Sequence, residues 1–495
     1  MSRSPTAGHY FYRFCLGSLQ DVVEPEGLTG IAFQNTDIDP SCAGRISSVF
    51  HFARVKERGD VRFALPLARS RDSCLACLLV AACLVVFSCG ASAVEPVLSP
   101  EKAVALALEG NPGLAQIKAR AEAMAAVPSQ EGSLPDPTLN FDTLNLPVGD
   151  GLSLRKEDMT MLELGVSQAI PFPGKLALKE QAARFEAEAA ADTVEEARLR
   201  LARDVKMRWW QLVSLRRSFA IIAEAERLLK QLVEIADSKY RVGEGAQQDV
   251  LAARLELAKL IQQRAQHVGL HVSEIARLNA LLNRSADSAI PLPDEVETAL
   301  PDIRSDADLL AWAEQSRPLL AQRKHAIDAA QSRLDLAKKD YYPDFTVGAG
   351  YAFRQDTPDG QNRRDFANFR LSMNLPVFAD SKQSKAVDQR NSELLKERYA
   401  LDEAERKIQT EIASALAVYR GNREQFRLFE DSLVPLARET VTSALTAYQV
   451  GKTDFLNVVR AENAWFDYQM QYWQALADAH QALARLVAAV GKEAL

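Results

Sequence analysis

Cysteine is missing from most of this chain. All six cysteines of the 495-residue sequence lie before residue 94. From residue 94 onward, this absence excludes disulfides, thiolate metal sites and a cysteine nucleophile. The cysteine-containing beginning and the cysteine-free remainder are therefore best read as two separate segments.

Long apolar runs and an excess of positive charge are missing too. After residue 94 there is no stretch of 18 apolar residues, so the sequence predicts no helix that crosses a bilayer. The formal net charge is −7. Nucleic-acid binding needs a basic surface, and so the charge balance gives no support to that class of function.

A constellation of catalytic or ligand-binding residues is also lacking. His267 and His271 have metal-ligand spacing on a predicted helix, but no third histidine or cysteine lies nearby, which favours a surface pair over a metal site. The Gly243-Glu244-Gly245 stretch follows a helix and lacks the lysine of a phosphate-binding loop. We therefore predict no enzyme activity, no cofactor and no resident metal.

The residues before position 94 have the pattern of an export signal. Arg69 and Arg71 precede an apolar run over 74–87, which ends near Ala91-Ser92-Ala93. We predict a signal peptide over 61–93 that is cleaved after Ala93. Lipidation at Cys89 is the alternative. Residues 1–60 lie upstream of this signal, and we expect them to be an over-extended start without ordered structure.

Residues 175–242 contain neither glycine nor proline, which indicates one long helix. They are rich in good helix formers, and one unbroken helix of this length would be roughly 100 Å long. Such a helix must pack side by side with others, as in a coiled coil or a helical barrel. We predict long helices over about 175–240 and 381–448, the second one with possible bends at Gly421 and Pro435.

The chain repeats itself with an offset of about 206 residues. Tyr240-Arg241-Val242-Gly243 recurs as Tyr448-Gln449-Val450-Gly451, and each glycine allows the chain to turn at a helix end into a further helix. The period is far longer than that of a solenoid. We therefore predict a duplicated half-molecule, with repeats over 94–300 and 301–495.

Each repeat also contains two short segments of alternating apolar and polar residues, at about 138–146, 160–169, 345–353 and 366–375. Alternation over about ten residues is typical of transmembrane β-strands. A half-buried soluble sheet is the alternative, but polar hairpin loops favour the membrane. Four strands cannot close a barrel in lipid. Eight strands from two chains would enclose a filled interior, whereas twelve from three chains leave a channel.

The duplicated layout and the paired Tyr-x-Val-Gly turns resemble the TolC-type outer-membrane efflux channel family. Short motifs are similar to its heavy-metal (CzcC/CusC-like) branch: Leu134-Pro135-Asp136-Pro137, Asn145-Leu146-Pro147, Gly165-Val166-Ser167-Gln168, Pro171-Phe172-Pro173-Gly174-Lys175 and Tyr342-Pro343-Asp344-Phe345. The resemblance implies a mixed α and β fold with four transmembrane strands and very long helices per chain. It further implies a homotrimer with a twelve-stranded β-barrel in the outer membrane and an α-helical barrel in the periplasm.

The resemblance also implies a function. The channel would be the passive exit duct of a tripartite efflux system, working with a periplasmic membrane-fusion adaptor and an inner-membrane RND-type pump. Its branch implies heavy-metal cations as cargo. The same channel serving multidrug efflux or type I protein secretion is the alternative, and a periplasmic coiled-coil structural protein is a remoter one.

The family's pore gate lies at the two hairpin turns, which implies roles for several residues here. Gly243 and Gly451 would mark the turns and the adaptor contact, while the expected pore-side residues are Asp249, Tyr240, Tyr448, Asp454 and Asn457. In the second repeat the family has two aspartates, and this chain departs from it at both positions, with Asn457 at the first and Arg460 at the second. An exposed helix-start carboxylate is the alternative role for Asp249.

Overall fold

A computed structural model describes residues 97–149, 151–303 and 305–492 of the chain. All of them belong to one compact unit, Ser92–Leu495. The predicted signal peptide over 61–93, Cys89 and the predicted over-extended start over 1–60 lie outside the described residues.

The first repeat begins with short helices, continues with two strands and ends with a hairpin of long helices. In chain order its elements are α1 (Pro100–Gly110), α2 (Pro112–Ala125), α3 (Val127–Gly132), β1 (Thr138–Leu144), β2 (Met161–Ile170), α4 (Lys175–Arg241) and α5 (Gln247–Leu281).

The second repeat has the same order of elements. They are α6 (Asp306–Ser316), α7 (Pro318–Lys339), β3 (Phe345–Phe353), β4 (Phe366–Met373), α8 (Gln383–Leu428), a π-helical turn (Phe429–Leu433), α9 (Val434–Gln449) and α10 (Phe455–Val490).

The long helix of the second repeat is interrupted, whereas that of the first is not. Helix α4 runs for 67 residues without a break. Its counterpart continues through Gly421 but passes into the π-helical turn, which ends two residues before Pro435. Proline has no N–H and its ring clashes with the carbonyl four residues earlier, so the ordinary helical bond pattern cannot pass through this point. The predicted helix over 381–448 is therefore divided into α8, the π-helical turn and α9.

The helices pack side by side in two rows that share α4. Away from the sheet, α4 contacts α5 and α10, and α10 contacts α9, which gives the row α5–α4–α10–α9. Next to the sheet, α4 contacts α7, and α7 contacts α8. Buried leucine, valine, alanine and aromatic side chains fill the seams between them. In the first of these rows, the outer helices α5 and α9 each keep one side uncovered.

The four strands form one antiparallel sheet in the order β1-β2-β3-β4. Its register aligns Leu139 with Val166, Val166 with Ala349, and Ala349 with Phe369, so these side chains share a face. That face is apolar and exposed, with Phe369 87% accessible. The opposite face carries polar side chains, among them Asn140, Asp142, Glu163, Ser167, Asn368 and Arg370.

Candidate functional site: the paired hairpin tips

Both helical hairpins turn through a glycine in the left-handed region, with φ of 80° at Gly243 and 73° at Gly451. In the first turn the Glu244 N–H donates to the Lys239 carbonyl at 2.9 Å, and the Gly243 N–H donates to the Tyr240 carbonyl at 3.1 Å. The second turn repeats both bonds at 2.8 and 3.1 Å. This is the Schellman arrangement, which a side chain at the glycine position would strain.

The two repeated tyrosines have different surroundings. Tyr240 is 45% exposed, whereas Tyr448 is only 7% exposed. The Tyr448 ring lies 5.6 Å from the Phe455 ring, centroid to centroid, at a steep interplanar angle. The Lys239 ammonium lies 4.1 Å from the Tyr448 ring centroid, within the range of a cation–π interaction. Tyr448 therefore closes the second hairpin and joins it to the first, and Tyr240 does neither.

Asp249 lies in the first turn of α5 and is half-buried. A carboxylate is favoured there because the unpaired N–H groups of a helix start carry partial positive charge. It also faces the second hairpin. Burial raises the pKa of the Tyr448 hydroxyl, and the negative charge of Asp249 raises it further. The fold thus brings two of the predicted residues, Asp249 and Tyr448, close to each other.

Asp454 and Asn457 lie on the surface instead. Asp454 stands immediately before α10, is exposed and makes no side-chain bond to the helix start. Asn457 is exposed and donates through its amide to the Thr453 hydroxyl at 3.0 Å. Arg460 is exposed as well. The second tip therefore presents one carboxylate, one amide and one guanidinium to solvent in a single chain.

Sequence reasoning missed Lys239. Its ammonium also lies 3.5 Å from the Tyr448 carbonyl oxygen, near the carboxyl end of α9, where positive charge is favoured. The matching residue of the second repeat is Ala447. A comparison of the two turns would have shown that only the first one carries a cation beside its tyrosine.

His267 and His271 lie half-buried beside Phe219, with ring centroids 6.3 and 5.4 Å from its ring. Burial lowers the pKa of His271. Across residues 97–149, 151–303 and 305–492, no group of three His, Cys, Asp or Glu side chains is arranged to hold a metal ion. Over the same ranges, no helix is both long enough and apolar enough to cross a membrane.

The repeated layout, the four-stranded sheet and the two hairpins match one known family twice. The sequence profile of the outer membrane efflux proteins matches residues 103–284 and again residues 309–492, once in each repeat. The chain belongs to this outer membrane efflux protein family. The resemblance found in the motifs is thereby confirmed, and the protein is an outer-membrane efflux channel component rather than an enzyme.

Individual relatives have low sequence identity to this chain but match it over more than half of its length. The toluene efflux pump outer membrane protein TtgF of Pseudomonas putida is 24% identical over 352 residues, covering 70% of this chain and 71% of TtgF. The cobalt-zinc-cadmium resistance protein CzcC of Cupriavidus metallidurans is 22% identical over 286 residues, covering 56% of this chain and 66% of CzcC.

A solved structure shows the same fold. The crystal structure of the outer membrane protein VceC from Vibrio cholerae matches with a TM-score of 0.67 at 19% identity, covering 79% of this chain and 96% of VceC. The predicted mixed α and β channel fold with a duplicated half-molecule is confirmed.

Proposed function

We propose that three copies of the chain assemble into a homotrimeric channel with a closed twelve-stranded barrel. The observation that carries this proposal is the pair of free sheet edges. Among the described strands, β1 and β4 each pair on one side only. Unpaired backbone groups are not tolerated in lipid, so β4 of one copy would pair with β1 of the next. Such a head-to-tail contact closes into a ring, and twelve strands leave room for a channel.

The helical row supports the same assembly. The uncovered side of α5 carries exposed apolar residues at coiled-coil-like spacing: Leu251, Leu255, Ile261, Val268 and Val272. At the other end of the row, Leu436 is exposed on α9 and Val450 is exposed directly after it. Packing α5 of one copy against α9 of the next would cover both surfaces and continue the row around a closed helical barrel in the periplasm.

The assembly itself can be tested on protein extracted from the outer-membrane fraction. Light scattering coupled to size-exclusion chromatography is expected to give the mass of three chains. Leu255→Glu, on the uncovered side of α5, should reduce the trimer fraction, whereas Glu256→Gln on a neighbouring position should not. A wild-type protein that is monomeric in mild detergent would overturn the proposed trimer.

The sheet should place its apolar face against lipid and its polar face towards the lumen. Leu371 is 66% exposed on the apolar face, and Ser372 lies on the other face. A charge facing lipid costs about 2–4 kcal/mol at the bilayer midplane, whereas a charge in the lumen is tolerated. Leu371→Arg is expected to reduce the amount of assembled trimer in the outer membrane, and Ser372→Arg is not. Equal yields of the two variants would show that the orientation is wrong.

At the periplasmic end, the two hairpin tips would form the gate of the channel. Gly243 and Gly451 shape the turns that the adaptor would contact, and an RND-type pump would supply the cargo. Three copies of Asp249 around one axis would form a ring that attracts cations, because carboxylates in a narrow opening focus the potential. Tyr240, Tyr448, Asp454 and Asn457 complete the tips.

Heavy-metal cations are the proposed cargo. The motifs quoted from the sequence and the similarity to CzcC support this choice, and carboxylate oxygens at the entrance suit the passage of hard or borderline cations. The similarity to TtgF favours organic solvents as the second candidate. Growth of a strain that lacks the gene, measured in the presence of cobalt, zinc, cadmium or toluene, distinguishes the metal cargo from the solvent cargo. Sensitivity to toluene alone would overturn the metal cargo and leave the channel proposal intact.

A further inference from the structure

Most buried charged side chains of the described part of the chain have a partner of opposite charge. Glu226 pairs with Arg264 at 3.2 Å, and Glu196 pairs with Arg317 at 2.8 Å. Glu462 is an exception. It is 4% exposed, its Oε2 has no hydrogen-bond partner, and it forms no ion pair within residues 97–149, 151–303 and 305–492. An isolated buried carboxylate is costly in its ionised form.

Glu462 lies directly behind the tip of the second hairpin. It follows Phe455 by two helical turns of α10, on the buried side that also carries Val459 and Phe466. These residues belong to the apolar core in which α10 meets α4, α5 and α9, and Tyr448 belongs to the same core. The carboxyl group therefore sits inside the seam that holds this hairpin shut.

Charged side chains around this level of the seam belong to all four helices, and none of them bonds to Glu462. They are Glu226, Arg227 and Lys230 on α4, Glu256 and Lys259 on α5, Arg438 and Glu439 on α9, and Arg460 and Asp467 on α10. Several of them form ion pairs with other residues: Glu226 with Arg264, Arg227 with Glu224, and Glu256 with Lys259. Burial is the cause that raises the pKa of Glu462 to about 7.

We propose that Glu462 is a proton-sensitive element of the gate, which keeps the second hairpin shut when it is protonated and loosens it when it ionises. The inference rests on the proposed role of the hairpin tips as the gate. The neutral carboxyl is buried at little cost. The carboxylate needs water or a cation, and in this seam it gains water only when α10 moves away from the helices packed around it.

The sign of the pH effect follows from the two states. The shut hairpin holds the proton up to about pH 7, whereas a hydrated Glu462 in the loosened hairpin releases it near the ordinary value of 4.5. The shut state therefore binds more protons between these values, and raising the pH favours loosening. The corresponding shift in the equilibrium is about tenfold between pH 6 and pH 8.

Hydrogen exchange on the assembled wild-type channel tests the titration without any need for conduction. After correction for intrinsic rates, peptides within 434–466 are expected to exchange up to about tenfold faster at pH 8 than at pH 6. Glu462→Gln keeps the shape and removes the charge, and should exchange at the slow rate at both pH values. Glu439→Gln removes an exposed carboxylate from α9 and should behave as the wild type. The same pH response in Glu462→Gln and the wild type would overturn the proposal.

Single-channel recording in planar bilayers then tests the link to the gate. The open probability of the wild type and of Glu439→Gln should rise with pH over the same interval, and that of Glu462→Gln should stay flat. Hydrogen exchange could depend on pH and on the Glu462→Gln substitution while the open probability depends on neither. In that case the carboxyl titrates as inferred and the tips are not the gate. A flat exchange profile in the wild type contradicts the inference itself.

Discussion

The two helical hairpins follow one repeated plan, and yet they differ in the continuity of the long helix and in how each accommodates a buried carboxylate. The first contains an unbroken long helix, α4, and pairs its buried Glu226 with Arg264. The second is interrupted by a π-helical turn before Pro435 and leaves Glu462 without a partner. Interruptions of this kind are frequent at functional sites and at kinks. We expect the first hairpin to act as the fixed support and the second as the moving part.

The largest expected contrast concerns the repeated tyrosines. Tyr448 is buried against Phe455, so Tyr448→Ala removes an aromatic side chain from a core and should cost about 3–4 kcal/mol. Tyr240 is exposed, and Tyr240→Ala should cost less than about 0.5 kcal/mol. Guanidinium denaturation of the assembled channel, followed by circular dichroism, measures both. Equal losses would mean that the assembled tips are packed symmetrically.

This contrast shows what could be predicted from the sequence and what could not. The long helices follow from the absence of glycine and proline, and the strands follow from their alternation, because both patterns are local. The fate of each tyrosine is set by partners from other helices. Tyr448 meets Phe455 after its own turn and Lys239 from the first hairpin, whereas the residue that corresponds to Phe455 in the first repeat is the polar Gln247.

The break in the second long helix and the isolation of Glu462 show the same limit. Pro435 indicates a disturbance, but whether it produces a kink or a π-helical turn depends on how the surrounding seam is filled. Glu462 continues the apolar stripe of Phe455, Val459 and Phe466 at helical spacing, so the sequence already indicates its buried side. Only the packing of the surrounding helices shows that no cation within the described residues reaches it.

The second contrast concerns the buried carboxylates. Arg264→Met keeps most of the apolar stem and leaves Glu226 without its cation. Because Arg264 is half-exposed, the expected loss of about 1–2 kcal/mol is below that for a fully buried pair. The variant should also give the first hairpin a new pH response, with stability that falls as the pH rises. Thermal unfolding at pH 6 and pH 8 measures both effects, with Arg254→Met as an exposed control.

The smallest contrast, and the most direct one for transport, concerns the charges at the tips. Asp249 in the first repeat corresponds to Asn457 in the second, so one hairpin carries the acidic position and the other does not. If three Asp249 side chains face the pore, Asp249→Asn should lower the cation-to-anion permeability ratio about twofold, without loss of trimer. Asn457→Asp should raise that ratio by a similar factor. Reversal potentials in a salt gradient measure both ratios.

The two variants together locate the constriction. In the single chain Asp249 lies near the buried Tyr448, whereas Asn457 is exposed beside Thr453. If only the Asp249→Asn substitution changes the cation-to-anion permeability ratio, the first tip lines the constriction. A ratio that changes with Asn457 alone would show that Asp249 serves as a helix-start carboxylate and that the second hairpin lines the opening. In that case the neighbouring Asp454 becomes the carboxylate that sets cation preference, and Asp454→Asn should lower the ratio where Asp249→Asn does not.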